Sequence, residues 1–228
     1  LDKNIEKLFK SIDVVIHLAA ITDATNSFNK QNMIKKINFV GTKKIIEYCN
    51  KYNCSLIFPS TTSVYGTQNN LVDEDCSIEE LKPQSPYAEY KLKSEIYLKQ
   101  FSNKNNFKYV ILRLGTIFGV STGMRFHTAV NKFCFQASLN QPLTVWKTAM
   151  NQKRPYLGIK DAVNCINFIM KNNIFDNDIY NIITTNSTVG EIIKIIKNHK
   201  KNIKINLVKT KIMNQLSYEV LSKKIQKR

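Results

Sequence analysis

The sequence has no apolar run long enough to cross a bilayer: its longest, around Val14 to Ile21, falls far short of the roughly 18 to 20 residues a spanning helix needs. No membrane partner is expected. Glycine is scarce, with seven residues and none grouped into a glycine-rich turn. Leu1 is followed by a lysine-rich helical stretch in place of a basic segment, an apolar core and a small-residue cleavage site, so nothing directs export. The five cysteines, Cys49, Cys54, Cys76, Cys134 and Cys165, are scattered, with no C-x-x-C pair and no histidine at metal-ligand spacing. That predicts a reduced, cytoplasmic protein with no metal site.

Acidic residues are also few, 17 against 34 Lys and Arg, for a formal net charge of +17. Such an excess invites phosphate binding. Arginine, whose planar fork suits base recognition, occurs only at Arg113, Arg125, Arg154 and Arg228. The lysines run from Lys3 to Lys227 without clustering. With Lys, Asn and Ile all abundant, the charge reads as a residue bias on a solvated surface, and no nucleic-acid partner is expected.

What remains is ample for a core, since 43% of the 228 residues are hydrophobic. Short apolar strands alternate with amphipathic helices, the pattern of a parallel sheet flanked by helices. Strands are predicted at 13–18, 55–59 and 109–114, the first apolar on both faces as a buried parallel strand is. A helix over 33–48 places Ile37, Val40, Ile45 and Ile46 on its buried side. Turn residues fill 66–84, and Ser85-Pro86 then announces a helix, a capping serine before a proline at the first helical position. Beyond Gly119 the spacing predicts a helix near 124–138, strands at 143–146 and 155–159, and a helix at 161–171. A strand at 179–183, a helix at 188–198 and a strand at 203–208 follow. One compact unit with a lobe built from late insertions is expected.

The segment YAEYK puts Tyr87 and Lys91 four residues apart, so on a helix both side chains leave one face, which Glu95 shares. An ammonium beside a phenol favours the phenolate and draws its pKa down from about 10. Alone, this spacing recurs by chance in a chain rich in both residues. Here it follows PSTTSVYG, residues 59–66, at the carboxyl end of a predicted strand, where open parallel sheets hold ligands.

Six motifs occur in order: DVVIHLAA (13–20), NFVGT (38–42), PSTTSVYG (59–66), SPYAEYK (85–91), LRLGTIFG (112–119) and RPYLGIKDA (154–162). Together they make the chain resemble the extended short-chain dehydrogenases/reductases, and more narrowly the sugar-nucleotide epimerase/dehydratase group. The resemblance implies an α/β fold, a Rossmann-like doubly wound parallel sheet lacking its first strands, with a small C-terminal substrate lobe. A partial dinucleotide-binding domain is expected over 1–119 plus about 155–180, and the substrate lobe over 120–154 and 181–228.

By position, Tyr87 matches the family's general base, which takes the proton of the reacting sugar hydroxyl while hydride leaves for a nicotinamide. Lys91 matches the lysine that holds the nicotinamide ribose and tunes that tyrosine. Thr61, four residues before the tyrosine of VYG, matches the catalytic Ser or Thr that bonds the sugar oxygen. Ala19 and Ala20 match the segment that lets the dinucleotide approach, and Asn38 an asparagine beneath the site. Arg154, seven residues before Asp161, matches the arginine that grips the substrate diphosphate, an anion suited to its fork. Arg125, His127 and Asn131 fall where relatives build the substrate lobe and are candidate sugar or phosphate contacts. Plainer alternatives stand beside these: a strand-end cap for Thr61, packing for the alanines, backbone bonding for Asn38, a surface ion pair for Arg154 and a helix surface for His127.

Relatives that dehydrate the sugar carry an Asp-Glu pair where this chain has Thr62 and Ser63. Two hydroxyls cannot serve as acid and base near neutrality, which disfavours a 4,6-dehydratase and leaves Thr62 as a substrate contact. The family also begins with a G-x-x-G-x-x-G turn that seats the pyrophosphate on a helix N-terminus. No such run occurs here. It is expected upstream of Leu1, with the residue that chooses NAD or NADP, so this chain alone should bind dinucleotide weakly. The expected function is a NAD(P)-dependent nucleotide-sugar epimerase, similar to UDP-glucose 4-epimerase and working as a homodimer. The alternatives are a nucleotide-sugar reductase or dehydrogenase and a non-catalytic dinucleotide-sensing relative. Such sensors typically lose the tyrosine or lysine that this chain keeps.

Overall fold

In the computed structural model, which describes residues 3–23, 26–66, 71–209 and 217–228, helix α1 (Lys3–Leu8) leads into strand β1 (Val14–Ile16). A helical stretch in three joined parts follows: α2 (Gln31–Ile34), a π-helical turn (Lys35–Gly41) and α3 (Thr42–Lys51). Then come β2 (Ser55–Thr61), β3 (Leu71–Val72), α4 (Pro86–Asn105), β4 (Tyr109–Leu114) and β5 (Thr116–Phe118). The second half holds α5 (Ala129–Ser138), β6 (Leu143–Trp146), β7 (Lys153–Gly158), α6 (Ile159–Lys171), β8 (Ile179–Ile182) and β9 (Thr185–Thr188). It ends with α7 (Val189–His199), β10 (Ile205–Val208), β11 (Glu219–Val220) and α8 (Lys223–Gln226).

The main sheet has the order β1-β2-β4-β8, and each neighbouring pair is parallel. Its strands are apolar on both faces because helices cover both. Leu56 and Phe58 of β2 pack on Ile45 and Ile46 of α3 and Leu98 of α4. Ile57, turned the opposite way by the two-residue period, joins Leu112, Tyr180 and Ala162 and Ile169 of α6 on the other face. Each such side chain, fully buried, contributes about 1.5–3 kcal/mol. A separate apolar cluster joins Phe133 of α5, Leu143 and Val145 of β6, Tyr156 of β7 and Ile192 and Ile193 of α7.

Two expectations fail for identifiable reasons. Ile37 and Val40 are each 40% exposed, not buried. The π-helical turn adds a residue to that turn and resets the helix phase, so Asn38 faces inward instead, at 1% exposure. The helix expected from 124 begins only at Ala129. Thr128 Oγ1 and Asn131 Nδ2 both donate to the Arg125 carbonyl, which holds the preceding residues as a turn. The short strands β3, β5, β9 and β11 were not predicted. Among the described residues no helix is long and apolar enough to cross a membrane.

Candidate active site

Helix α4 starts as its sequence dictates: the Ser85 side chain accepts from the Ala88 amide at 3.3 Å, with Pro86 at the first helical position. That start directs Tyr87 and, one turn on, Lys91 toward the carboxyl end of β2. There Thr61 takes the extended backbone of a cap, its Oγ1 accepting from the Ser63 amide at 3.2 Å to begin a single turn. The Tyr87 phenol lies near enough to the Thr61 side chain for that hydroxyl to favour its phenolate. Burial pushes the phenol up to about 12, against the pull of the Arg125 charge and the neighbouring Thr61 hydroxyl.

Lys91 is 4% exposed. Its Nζ donates to the Pro59 carbonyl at 2.6 Å and lies 4.6 Å from the centre of the Phe58 ring. Burial draws this ammonium down to about 8, opposed by the negative charge of Glu95. The Arg125 charge, from the turn before α5, also favours the Tyr87 phenolate.

Behind these residues lies a set of buried polar groups that sequence reasoning missed. Glu95 accepts from Arg113 Nε at 3.2 Å and Nη2 at 2.7 Å, and the Ser60 hydroxyl donates to it. A charge in the middle of the apolar run YVILRL was the available signal, since such a residue is buried only when paired. His17 Nε2 lies 3.0 Å from Thr42 Oγ1. Burial, aided by the nearby Lys91 charge, holds His17 down at about 4.

The remaining candidates divide. Ala19, exposed, and Ala20, partly buried, lie just after β1. Asn38 grips that loop, Oδ1 accepting from the Ile21 amide and Nδ2 donating to its carbonyl, both at 2.8 Å. Arg125 and His127 are exposed on the turn before α5. Arg154 is partly buried on β7, opposite Ser187.

Two candidates are committed inward. Thr62 is 2% exposed, its hydroxyl donating to the Leu114 carbonyl at 3.3 Å and lying 3.4 Å from the Tyr218 hydroxyl. Its hydroxyl is thus turned toward β4 and Tyr218. Asn131 spends both ends of its amide on backbone, accepting from Gly119 N and donating to Arg125 O. It shapes the turn that carries Arg125. Among the described residues no group of three or more His, Cys, Asp or Glu is placed to hold a metal ion.

A family profile described as the NAD dependent epimerase/dehydratase family matches residues 2–182. The chain is 30% identical over 190 residues to a dTDP-D-glucose 4,6-dehydratase of Dictyostelium discoideum, covering 78% of this chain and 43% of that protein. It is 32% identical over 202 residues to a Methanocaldococcus jannaschii protein provisionally named a UDP-glucose 4-epimerase, covering 86% of this chain and 64% of that one. The chain thus spans about half the length of these curated relatives. A UDP-glucuronic acid 4-epimerase of Bacillus cereus, solved with UDP-glucuronic acid and NAD, matches with a TM-score of 0.86 at 27% identity. The match covers 99% of this chain and 72% of that one, and the fold is the Rossmann-like α/β arrangement.

Proposed function

Because the chain belongs to the NAD dependent epimerase/dehydratase family, we propose that it serves a nucleotide-sugar 4-epimerase in which Tyr87 takes and returns the proton of a sugar hydroxyl. The observation that carries this reading is the placing of Tyr87 at the start of α4 beside Thr61 at the end of β2, with the buried Lys91 one turn further along the helix. A hydroxyl and a phenol so placed can hold one sugar oxygen between them and move its proton. A phenol near pKa 12 is neutral at physiological pH, so its action as a base depends on nearby cations. Arg125 already acts on it, and Lys91 stands one turn along the same helix face.

The NAD implied by the family supplies, when bound, the redox partner that takes the sugar's hydrogen and gives it back. The residues present fit one end of such a dinucleotide. Ala19 and Ala20 keep the loop after β1 small, Asn38 fixes that loop, and Thr22 Oγ1 is buried without a partner among the described residues. Lys91 would hold the nicotinamide ribose. The glycine-rich pyrophosphate seat is not in this sequence.

Epimerisation is favoured over dehydration because Thr62 and Ser63 carry no acid or base, and the Thr62 hydroxyl is committed to Leu114 and Tyr218. Arg125 and Arg154 supply cations for the anionic end of the substrate. A substrate lobe over 120–154 and 181–228 is supported by the separate cluster of α5, β6 and α7, which Tyr156 joins from the neighbouring 155–180 segment. A homodimer is supported by Met33, Ile37 and Val40, exposed along one helical stretch. Five free cysteines support a cytoplasmic location.

The test is turnover of UDP-sugars with NAD by the full-length protein and its Tyr87→Phe variant, which loses only the hydroxyl. The expected result is interconversion of 4-epimers with no net change in reduced-nicotinamide absorbance, abolished in the variant while its circular dichroism is unchanged. Turnover that survives in Tyr87→Phe refutes the assigned base. Net reduction of NAD replaces the epimerase with a dehydrogenase.

A further inference from the structure

Glu95 stands one turn beyond Lys91 on α4, and each contacts β2. Lys91 Nζ donates to the Pro59 carbonyl, and the next residue, Ser60, donates its hydroxyl to Glu95. Ser60 lies opposite Arg113 in the register of β2 and β4, and Arg113 reaches the same carboxylate through Nε and Nη2. Both side chains of the ion pair are 3% exposed, and the Tyr65 ring covers the guanidinium carbon at 4.9 Å. A pair so deeply buried is a poor source of stability compared with apolar side chains of the same volume. Its geometry is specific: it ties α4 to two adjacent residues of the strand that ends in Thr61.

We propose that Glu95, held by Arg113 and Ser60, is a positioning residue that keeps Lys91 charged and aligned with Tyr87 and Thr61. This rests on the reading of Tyr87 and Lys91 as the acid-base pair. Lys91 faces His17 just after β1, the Phe58 ring from β2 and Glu95 on its own helix, where Tyr87 stands one turn earlier. His17 is buried and neutral near pH 7. Glu95 is the anion in this set that favours the Lys91 ammonium against burial.

The experiment is the NMR titration of Lys91 in the full chain labelled with [13C,15N]lysine, its resonance assigned by loss in Lys91→Met. Glu95→Gln keeps the shape and removes the charge. It is expected to lower the Lys91 midpoint by about one pH unit, whereas Glu95→Asp, which keeps the charge, restores most of the difference. An unchanged midpoint in a folded Glu95→Gln protein overturns the proposal. Should Glu95→Gln not fold, the double replacement Glu95→Leu with Arg113→Met is titrated against Arg113→Met alone, so that the two proteins differ in the Glu95 charge and not in the arginine. A lowered midpoint supports the proposal and an unchanged one overturns it. Because the readout is a titration, it is independent of turnover. Survival of activity in Tyr87→Phe would sink the catalytic reading without moving this result.

Discussion

Lys91 donates its ammonium to the carbonyl of Pro59 at 2.6 Å, so the buried cation of the candidate site is anchored to the strand and not to another side chain. The bond offsets part of what burial costs a charged group, and burial still draws Lys91 down to about 8.

That shift has a pH signature. The folded-state value lies below the unfolded one of about 10.5, so the stability that Lys91 permits is fully present above about 10.5 and is lost as pH falls through about 8. Relative to Lys91→Met, the wild-type chain should gain about 3 kcal/mol of unfolding free energy between pH 7 and 10.5. Urea unfolding of both proteins across that range measures it, and parallel curves would contradict the assigned shift.

His17 works in the acid range. Its neutral imidazole is buried beside Thr42 and held near 4, below the unfolded value of about 6.5. Its contribution is present above about 6.5 and is lost as pH falls through about 4, up to about 3 kcal/mol. His17→Gln should flatten the wild-type fall in stability between pH 6.5 and 4.5, as read by denaturant midpoints.

Breaking the buried ion pair from one side is costly. Arg113→Met leaves the Glu95 carboxylate enclosed at 3% exposure, and a loss of about 3–5 kcal/mol is expected. Adding Glu95→Leu to Arg113→Met should recover most of that loss, a result that thermal unfolding of the two variants resolves.

Gly66 closes the VYG turn with φ of +73°, and a Cβ there would lie 2.2 Å from the Lys82 carbonyl oxygen. Both the backbone region and the space exclude a side chain. Gly66→Ala should lose more than about 2 kcal/mol and lower the thermal midpoint. An unchanged midpoint would mean that the loop from β2 to α4 relaxes freely.

Much of this architecture is legible in the sequence. The strand at 109–114 and the Ser85-Pro86 start of α4 could be read directly, because apolar runs and caps act locally. The pairing of Tyr87 with Thr61 was legible only through ordered motifs, since nothing local says that the start of this helix meets the end of that strand. The inward turn of Asn38 was not legible: a π-helical turn leaves the residue types unchanged while shifting the phase they are read in. Nor was the role of Glu95, which depends on Arg113 and Ser60 arriving from two neighbouring strands. Arg125 was named as a substrate contact, but its action on the Tyr87 phenol depends on the turn fixed by Thr128 and Asn131.

The π-helical turn at Lys35–Gly41 also bears on how this region can vary. A wide turn is one residue longer than the regular one, so removing any single residue from it restores an unbroken α-helix. Everything preceding the deletion then swings by roughly 100° about the axis, and when the deletion falls after Asn38, that residue can no longer face Ile21 from the side that Thr42 and Ser94 hold fixed. Substitutions at exposed positions such as Ile37 and Val40 leave that register intact. For the loop after β1, the number of residues in this helix therefore matters more than their identity, and insertions or deletions here are the changes it tolerates least.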